Sequence, residues 1–175
     1  MVPRVSSASS QDATTPAGVP AGVVVRRAVE ADAGEVLTLQ RAAFVAEAQR
    51  CGDPSLPPLR EDLATVRAAL VAADVVSLVA VRGTRLVGAV RLRVDGALGH
   101  VGRLAVAPDQ ERQGIGTHLL AAVEAAAPQT VTEFRLFTGG DSAANVARYE
   151  RAGYVRTGTS VDDRGVPLAH LAKAR

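Results

Sequence analysis

The run Leu104-Ala-Val-Ala-Pro-Asp-Gln-Glu-Arg-Gln-Gly-Ile-Gly-Thr-His-Leu-Leu120 reads as a strand end, a loop and a helix start, with Gly114 and Gly116 where the helix begins. The first amides of a helix have no partner inside it and lie at its positive end, which suits a phosphate or pyrophosphate. Glycine serves there because a Cβ would hold the backbone away from the anion. Further on, Ser142, Asn145 and Tyr149 are spaced i, i+3 and i+7 and share one helical stripe. Alone, that stripe could be a cap, a solvated amide and a core aromatic. Facing a bound molecule, it offers a hydroxyl, an amide and a phenolic proton donor. The third candidate is His100, which strand alternation places on one face with Gly102, Leu104 and Val106. Imidazole titrates near neutral pH and can take the proton that an ammonium, with a pKa of about 10, does not surrender unaided.

Other phosphate binders fit less well. A dinucleotide fold would place a third Gly or Ala at position 119, which is Leu119. A P-loop would read Gly-Lys-Ser/Thr, and that triplet is missing.

The elements that must hold these residues follow from periodicity. Residues 1–22 are Ser, Thr, Ala, Pro and Gly with few large apolar groups, a composition expected of a disordered leader, so the domain is expected to span 23–175. Val23–Val25 reads as a strand, with a helix beginning near Asp32 and running through Glu35–Gln49. A Pro-rich loop at Asp53–Pro58 precedes a second helix over Glu61–Ala73. Val75–Arg82, Arg85–Val94 and Ala97–Ala107 form three strands, joined at Gly83-Thr84 and Asp95-Gly96 by short turns. A helix then starts at Ile115 and stops by Pro128, followed by a strand over Val131–Thr138 and a helix over Ser142–Arg151. Val155–Thr159 and Val166–Lys173 close the chain as a hairpin. The order β-α-α-β-β-β-α-β-α-β-β predicts an α/β (α+β) fold with a mixed sheet of about seven strands and helices on both faces.

Composition narrows the function. At 175 residues and 47% hydrophobic, the chain is long enough for one domain with a core. Aromatics are 3% and Trp is absent, a poor supply for stacking nucleobases. All but one of the 20 basic residues are Arg, scattered among 18 acidic ones, so nucleic acid is not an expected partner. A membrane is not expected either, for no uncharged apolar run approaches the roughly 18 residues needed to span one. One Cys and three dispersed His lack metal-ligand spacing, and no metal is expected. A cytoplasmic location is the expectation.

On these residues the sequence resembles the GNAT N-acetyltransferases over residues 23–175. The resemblance implies the GNAT fold and acetyl-CoA as cosubstrate. It implies that Leu104, Ala105 and Val106 pair with pantetheine, while Arg112, Gln113, Gly114, Ile115, Gly116 and Thr117 hold the pyrophosphate. It implies that Ser142 and Asn145 flank the cofactor and that Tyr149 protonates the departing thiolate. His100 stands where histone-type relatives carry Glu and arylalkylamine-type relatives carry His, and either it or a water is the base. Where the family's loop has Gln or Arg this chain has Glu111, with Gln110 and Arg112 beside it to compensate. The acceptor is expected against Phe44–Asp62, where Glu47, Asp53, Glu61 and Asp62 could attract a cationic amine from a small molecule or a peptide. A homodimer is left open. The alternatives are a non-catalytic acyl-CoA sensor, which Glu111 favours, and a nucleotide-binding regulatory module.

Overall fold

The computed structural model describes residues 20–140 and 142–175. The expected leader therefore lies almost wholly outside the described residues. Twelve elements follow: β1 (Val23–Arg27), α1 (Ala33–Cys51), α2 (Pro57–Arg60), α3 (Leu63–Val71), β2 (Val75–Arg82), β3 (Arg85–Asp95), β4 (Leu98–Val106), α4 (Ile115–Ala125), β5 (Glu133–Gly139), α5 (Ala143–Arg151), β6 (Val155–Val161) and β7 (Pro167–Ala174). The strands make one sheet in the order β1-β2-β3-β4-β5-β7-β6. All neighbours are antiparallel except β4 and β5.

Local chemistry explains the boundaries. Asp32 takes both arms of Arg26, at 2.7 and 2.8 Å, and the Val29 amide at 2.8 Å, fixing the entry to α1. Asp62 caps α3 by accepting from the Thr65 amide at 2.7 Å. The Pro-rich stretch expected as loop holds the single turn α2, because Pro57 has its φ preset for the first helical position and lacks an N–H to leave unsatisfied.

The sheet divides two cores. On one face α1 and α3 place Val36, Leu39, Val66 and Leu70 against Val79, Ala89 and Ala105. On the other, α4 brings Ile115, Leu119, Leu120 and Val123 against Leu78, Val90, Leu92, Val101 and Phe134. Each fully buried Leu or Ile in these layers contributes about 1.5–3 kcal/mol.

One irregularity shapes everything near the site. Arg91 pairs with Gly102 but Ala89 pairs with Ala105, so β4 carries one residue more than β3 there. The extra residue is a β-bulge, and Arg103 takes the left-handed conformation within it (φ 52°). Val101 consequently enters the α4 core while Ala105, four residues on, enters the α1 core. Simple alternation put His100, Gly102, Leu104 and Val106 on one face, and the bulge overturns that. Leu104 and Val106 pack toward α4, whereas His100, next to Val101 and opposite Arg93, lies on the α1 face.

Candidate functional site

β4 and β5 are paired only at Leu98–Glu133, Gly99–Phe134 and His100–Arg135. Beyond His100 the strands part, since β5 continues in register with β7 while β4 stays with β3. The edge of β4 through Leu104, Ala105 and Val106 therefore faces a gap with its backbone groups open to a ligand.

At the α4 end of that gap the loop is clamped from outside. Arg82 donates to Gln110 and, at 2.9 Å, to Gln113, and Arg85 grips Asp109 through two bonds of 2.6 and 2.8 Å. Arg112 and Gly114 both have positive φ, 60° and 83°. His118 makes the first helical bond, to the Gly114 carbonyl at 3.0 Å, which leaves the Ile115, Gly116 and Thr117 amides unpaired among the described residues. The two glycines differ in kind. Gly114 is required by its conformation, whereas a Cβ at Gly116 would meet only Val106 at an ordinary 3.5 Å, so protein packing leaves space there. Glu111 is exposed. Of its two expected compensators, Gln110 is occupied by Arg82 and Asp109, and Arg112 alone is exposed beside it.

Across the gap, α5 carries the polar stripe. Ser142 starts the helix but makes no capping bond, and at 3% exposure its Oγ has no hydrogen-bond partner among the described residues. Asn145 reaches back to β5, donating to Thr138 Oγ1 at 3.4 Å. Tyr149 packs edge-on to Tyr154 with ring centroids 6.0 Å apart. Burial raises the Tyr149 pKa; Arg148 pulls the other way and the Glu47 carboxylate adds to the rise. Burial likewise lifts the Tyr154 phenol, but that hydroxyl is committed to Glu124 at 2.8 Å. Of the two tyrosines, Tyr149 is the one whose hydroxyl makes no hydrogen bond among the described residues.

A cavity of about 510 Å³ lies at the C-terminal end of β5. It is walled by the end of α1, the start of α5 and the β6–β7 loop, and Glu47, Asp53, Ser142 and Arg164 line it. Arg164 fastens the β6–β7 loop to the loop after α1, donating to the Ser55 carbonyl at 2.7 Å and pairing with Asp53 at 3.0 Å. The four acidic residues expected to draw an amine are thus divided. Glu47 and Asp53 reach the cavity, Asp62 is an exposed helix cap, and Glu61 turns inward. Gln40 (3.0 Å), Arg91 (2.7 Å) and Arg103 (2.9 and 2.7 Å) all donate to the Glu61 carboxylate. Burial works to raise the Glu61 pKa, and these donors outweigh it and hold the carboxyl below its ordinary value. Sequence reasoning missed Gln40, Arg91, Arg103 and Arg164. Only the charge of the three arginines marked them.

His100 is exposed at the foot of the gap and does not line the cavity. His118 is partly buried, and His170 shares a 2.7 Å hydrogen bond with Ser160 beside Phe137. No group of three or more His, Cys, Asp or Glu among the described residues could hold a metal ion. No described helix is long and apolar enough to cross a membrane.

This architecture is shared. The PaiA N-acetyltransferase of Thermoplasma acidophilum, crystallised with coenzyme A, matches with a TM-score of 0.73 at 16% identity, over 87% of this chain and 99% of that one. A ribosomal-protein-alanine N-acetyltransferase from Brucella melitensis gives 0.70 at 23%, over 87% and 99%. The ribosomal-protein-S18-alanine N-acetyltransferase of Escherichia coli gives 0.70 at 16%, over 87% and 93%. A sequence search of curated proteins finds no match. Residues 60–175, which include the split strands, the α4 loop and α5, match the family model described as an acetyltransferase (GNAT) domain, and the chain belongs to the GNAT acetyltransferase family.

Proposed function

We propose that this chain is an N-acetyltransferase that moves an acetyl group from acetyl-CoA to a primary amine by direct attack. The observation that carries the reading is the gap between β4 and β5, with unpaired helix amides at one end and, across it, a helix that carries Tyr149 and starts at a cavity lined by Glu47, Asp53, Arg50 and Arg164. That the similar PaiA enzyme was crystallised with coenzyme A supports it.

The residues fit such a cosubstrate. The amides of Ile115, Gly116 and Thr117, with Arg112 and Gln113, would hold the pyrophosphate. The open edge of β4 at Leu104, Ala105 and Val106 would pair with pantetheine, and Ser142 and Asn145 would line its other side. Acetyl-CoA supplies an activated acetyl group. The chain's own work is to fix that group against β4 and to manage two protons. Tyr149 keeps its proton at neutral pH because burial disfavours phenolate, and delivers it to the leaving sulfur. His100, open to solvent on the α1 face, suits a proton relayed by water from the acceptor.

Titration of the protein with acetyl-CoA, NAD and ATP by calorimetry tests the reading, with acetyl-CoA alone expected to bind. Gly114→Val should abolish that binding, since valine resists φ 83° and its side chain would crowd the anion. A second reading, an acyl-CoA sensor without turnover, rests on the exposed Glu111 whose neighbour Gln110 is tied to Arg82. Acetyl-CoA binding without CoA release from any amine would favour the sensor.

A further inference from the structure

We infer that Glu47 is the ammonium-binding group of the acceptor site, and that the cavity at the end of β5 takes the primary ammonium of a small molecule or of a peptide terminus. The inference rests on the acetyl-transfer reading above and assigns its acceptor end.

Three observations carry it. First, the Glu47 side chain is only 16% exposed, yet its two oxygens are unequally used. Oε2 pairs with Arg50, whose side chain is 49% exposed, while among the described residues Oε1 receives nothing stronger than the Cys51 thiol at 3.8 Å. Thiols are weak donors, so one face of this carboxylate still needs a hydrogen-bond donor. Second, the seat is shaped for it. Glu47 Oε1 lies against Gly139, so close that a Cβ there would push the carboxylate end aside. Third, Ser142 lines the same cavity, and its Oγ is buried and without a partner among the described residues. An ammonium has three N–H donors and no acceptor. Glu47 and Ser142 each bring an incompletely used oxygen to the lining of this cavity. The Glu47 charge is also felt at Tyr149.

The cavity bounds the acceptor's size. At about 510 Å³, with Arg164 tying the β6–β7 loop to the Ser55 carbonyl across one side, it admits a compact amine or one or two residues of a chain end.

The test titrates the coenzyme A-loaded protein with phenethylamine, spermidine and a hexapeptide bearing a free N-terminal Ala. Phenethyl alcohol and the N-acetylated hexapeptide serve as uncharged counterparts. At least one primary amine should bind about tenfold or more tightly than its counterpart, a charge-assisted bond being worth that much. Which arm binds separates small molecule from peptide. Glu47→Gln should remove the preference while coenzyme A affinity stays put. Should that variant fail to fold, Gly139→Ala, whose Cβ displaces the carboxylate, should produce the same loss. Equal binding of amine and counterpart, no binding of any primary amine, or an undiminished preference in the variant each overturns the inference. Failure of the wild-type protein to bind coenzyme A overturns the acetyl-transfer reading beneath it instead.

Discussion

Glu61 and Glu47 are matched in burial, with side chains 12% and 16% exposed, and both belong to the segment from which an acceptor site was expected. Their surroundings set them apart. Around Glu61, both oxygens are saturated by Gln40, Arg91 and Arg103, and the Gln40 amide also donates to the Pro58 carbonyl at 2.8 Å. Around Glu47, one oxygen meets an exposed arginine, the other meets only a thiol among the described side chains, and the residue lines a cavity. A saturated buried carboxylate has no lone pair to offer, so its role is to hold the chain. A half-saturated one can still bind. Glu61 in particular holds Arg103, the residue strained into positive φ at the bulge of β4. It is a brace for the strand that faces the gap.

The contrast breaks most visibly in stability. Glu61→Ala should cost about 3–5 kcal/mol, because Arg91 and Arg103 are left partly buried without their counter-charge. Glu47→Ala should cost less than about 1 kcal/mol, since Arg50 simply rehydrates. Urea midpoints measure both, and equal losses would erase the distinction.

Activity should show the reverse order, because the proposed chemistry would take place at the Glu47 end. Tyr149→Phe should lower kcat by about 10²-fold or more while acetyl-CoA affinity is kept, a loss confined to the proton donor. His100→Ala should have a smaller effect, concentrated at low pH where free amine is scarce. A wild-type pH–rate profile in that variant would return His100 to an ordinary surface role and leave water as the base. The assay is CoA release with whichever amine the binding test identifies.

Acid titration gives the smallest and sharpest distinction. The Glu61 pKa is lowered in the folded protein from an ordinary 4.5, so its contribution to stability is complete above that value. It is lost as pH falls through the depressed folded pKa. Glu61→Gln should therefore flatten the fall of stability below about pH 4.5. An unchanged slope would mean that the network is not what makes the wild type acid-sensitive.

Much of this frame was legible in the residues. The strand Val75–Arg82 was placed to the residue by its apolar run and the turn after it. The i, i+3, i+7 stripe of α5 does face the sheet, as Ser142, Asn145 and Tyr149 show. The bulge was not legible, because two-residue alternation assumes a regular ladder and the residue that breaks it is Arg103 rather than a glycine. The division of labour among Glu47, Asp53, Glu61 and Asp62 was equally hidden. All four look alike in the chain, and what separates them are partners 30 or 42 residues away, such as Arg91 and Arg103 for Glu61.

The bulge also makes β4 sensitive to length in a way that its composition does not reveal. It works as a phase shift, exchanging inner and outer sides partway along one strand. Removing Arg103 would restore the even beat and turn the small Ala105 and Ala107 into the space now filled by Leu104 and Val106, and the reverse. Substitution at these positions changes one contact, whereas a single deletion inverts four. Changes in length should thus be absorbed by the loops after α1 and between β6 and β7, where the proposed acceptor would be met, and refused in the strand that the cosubstrate would lie along.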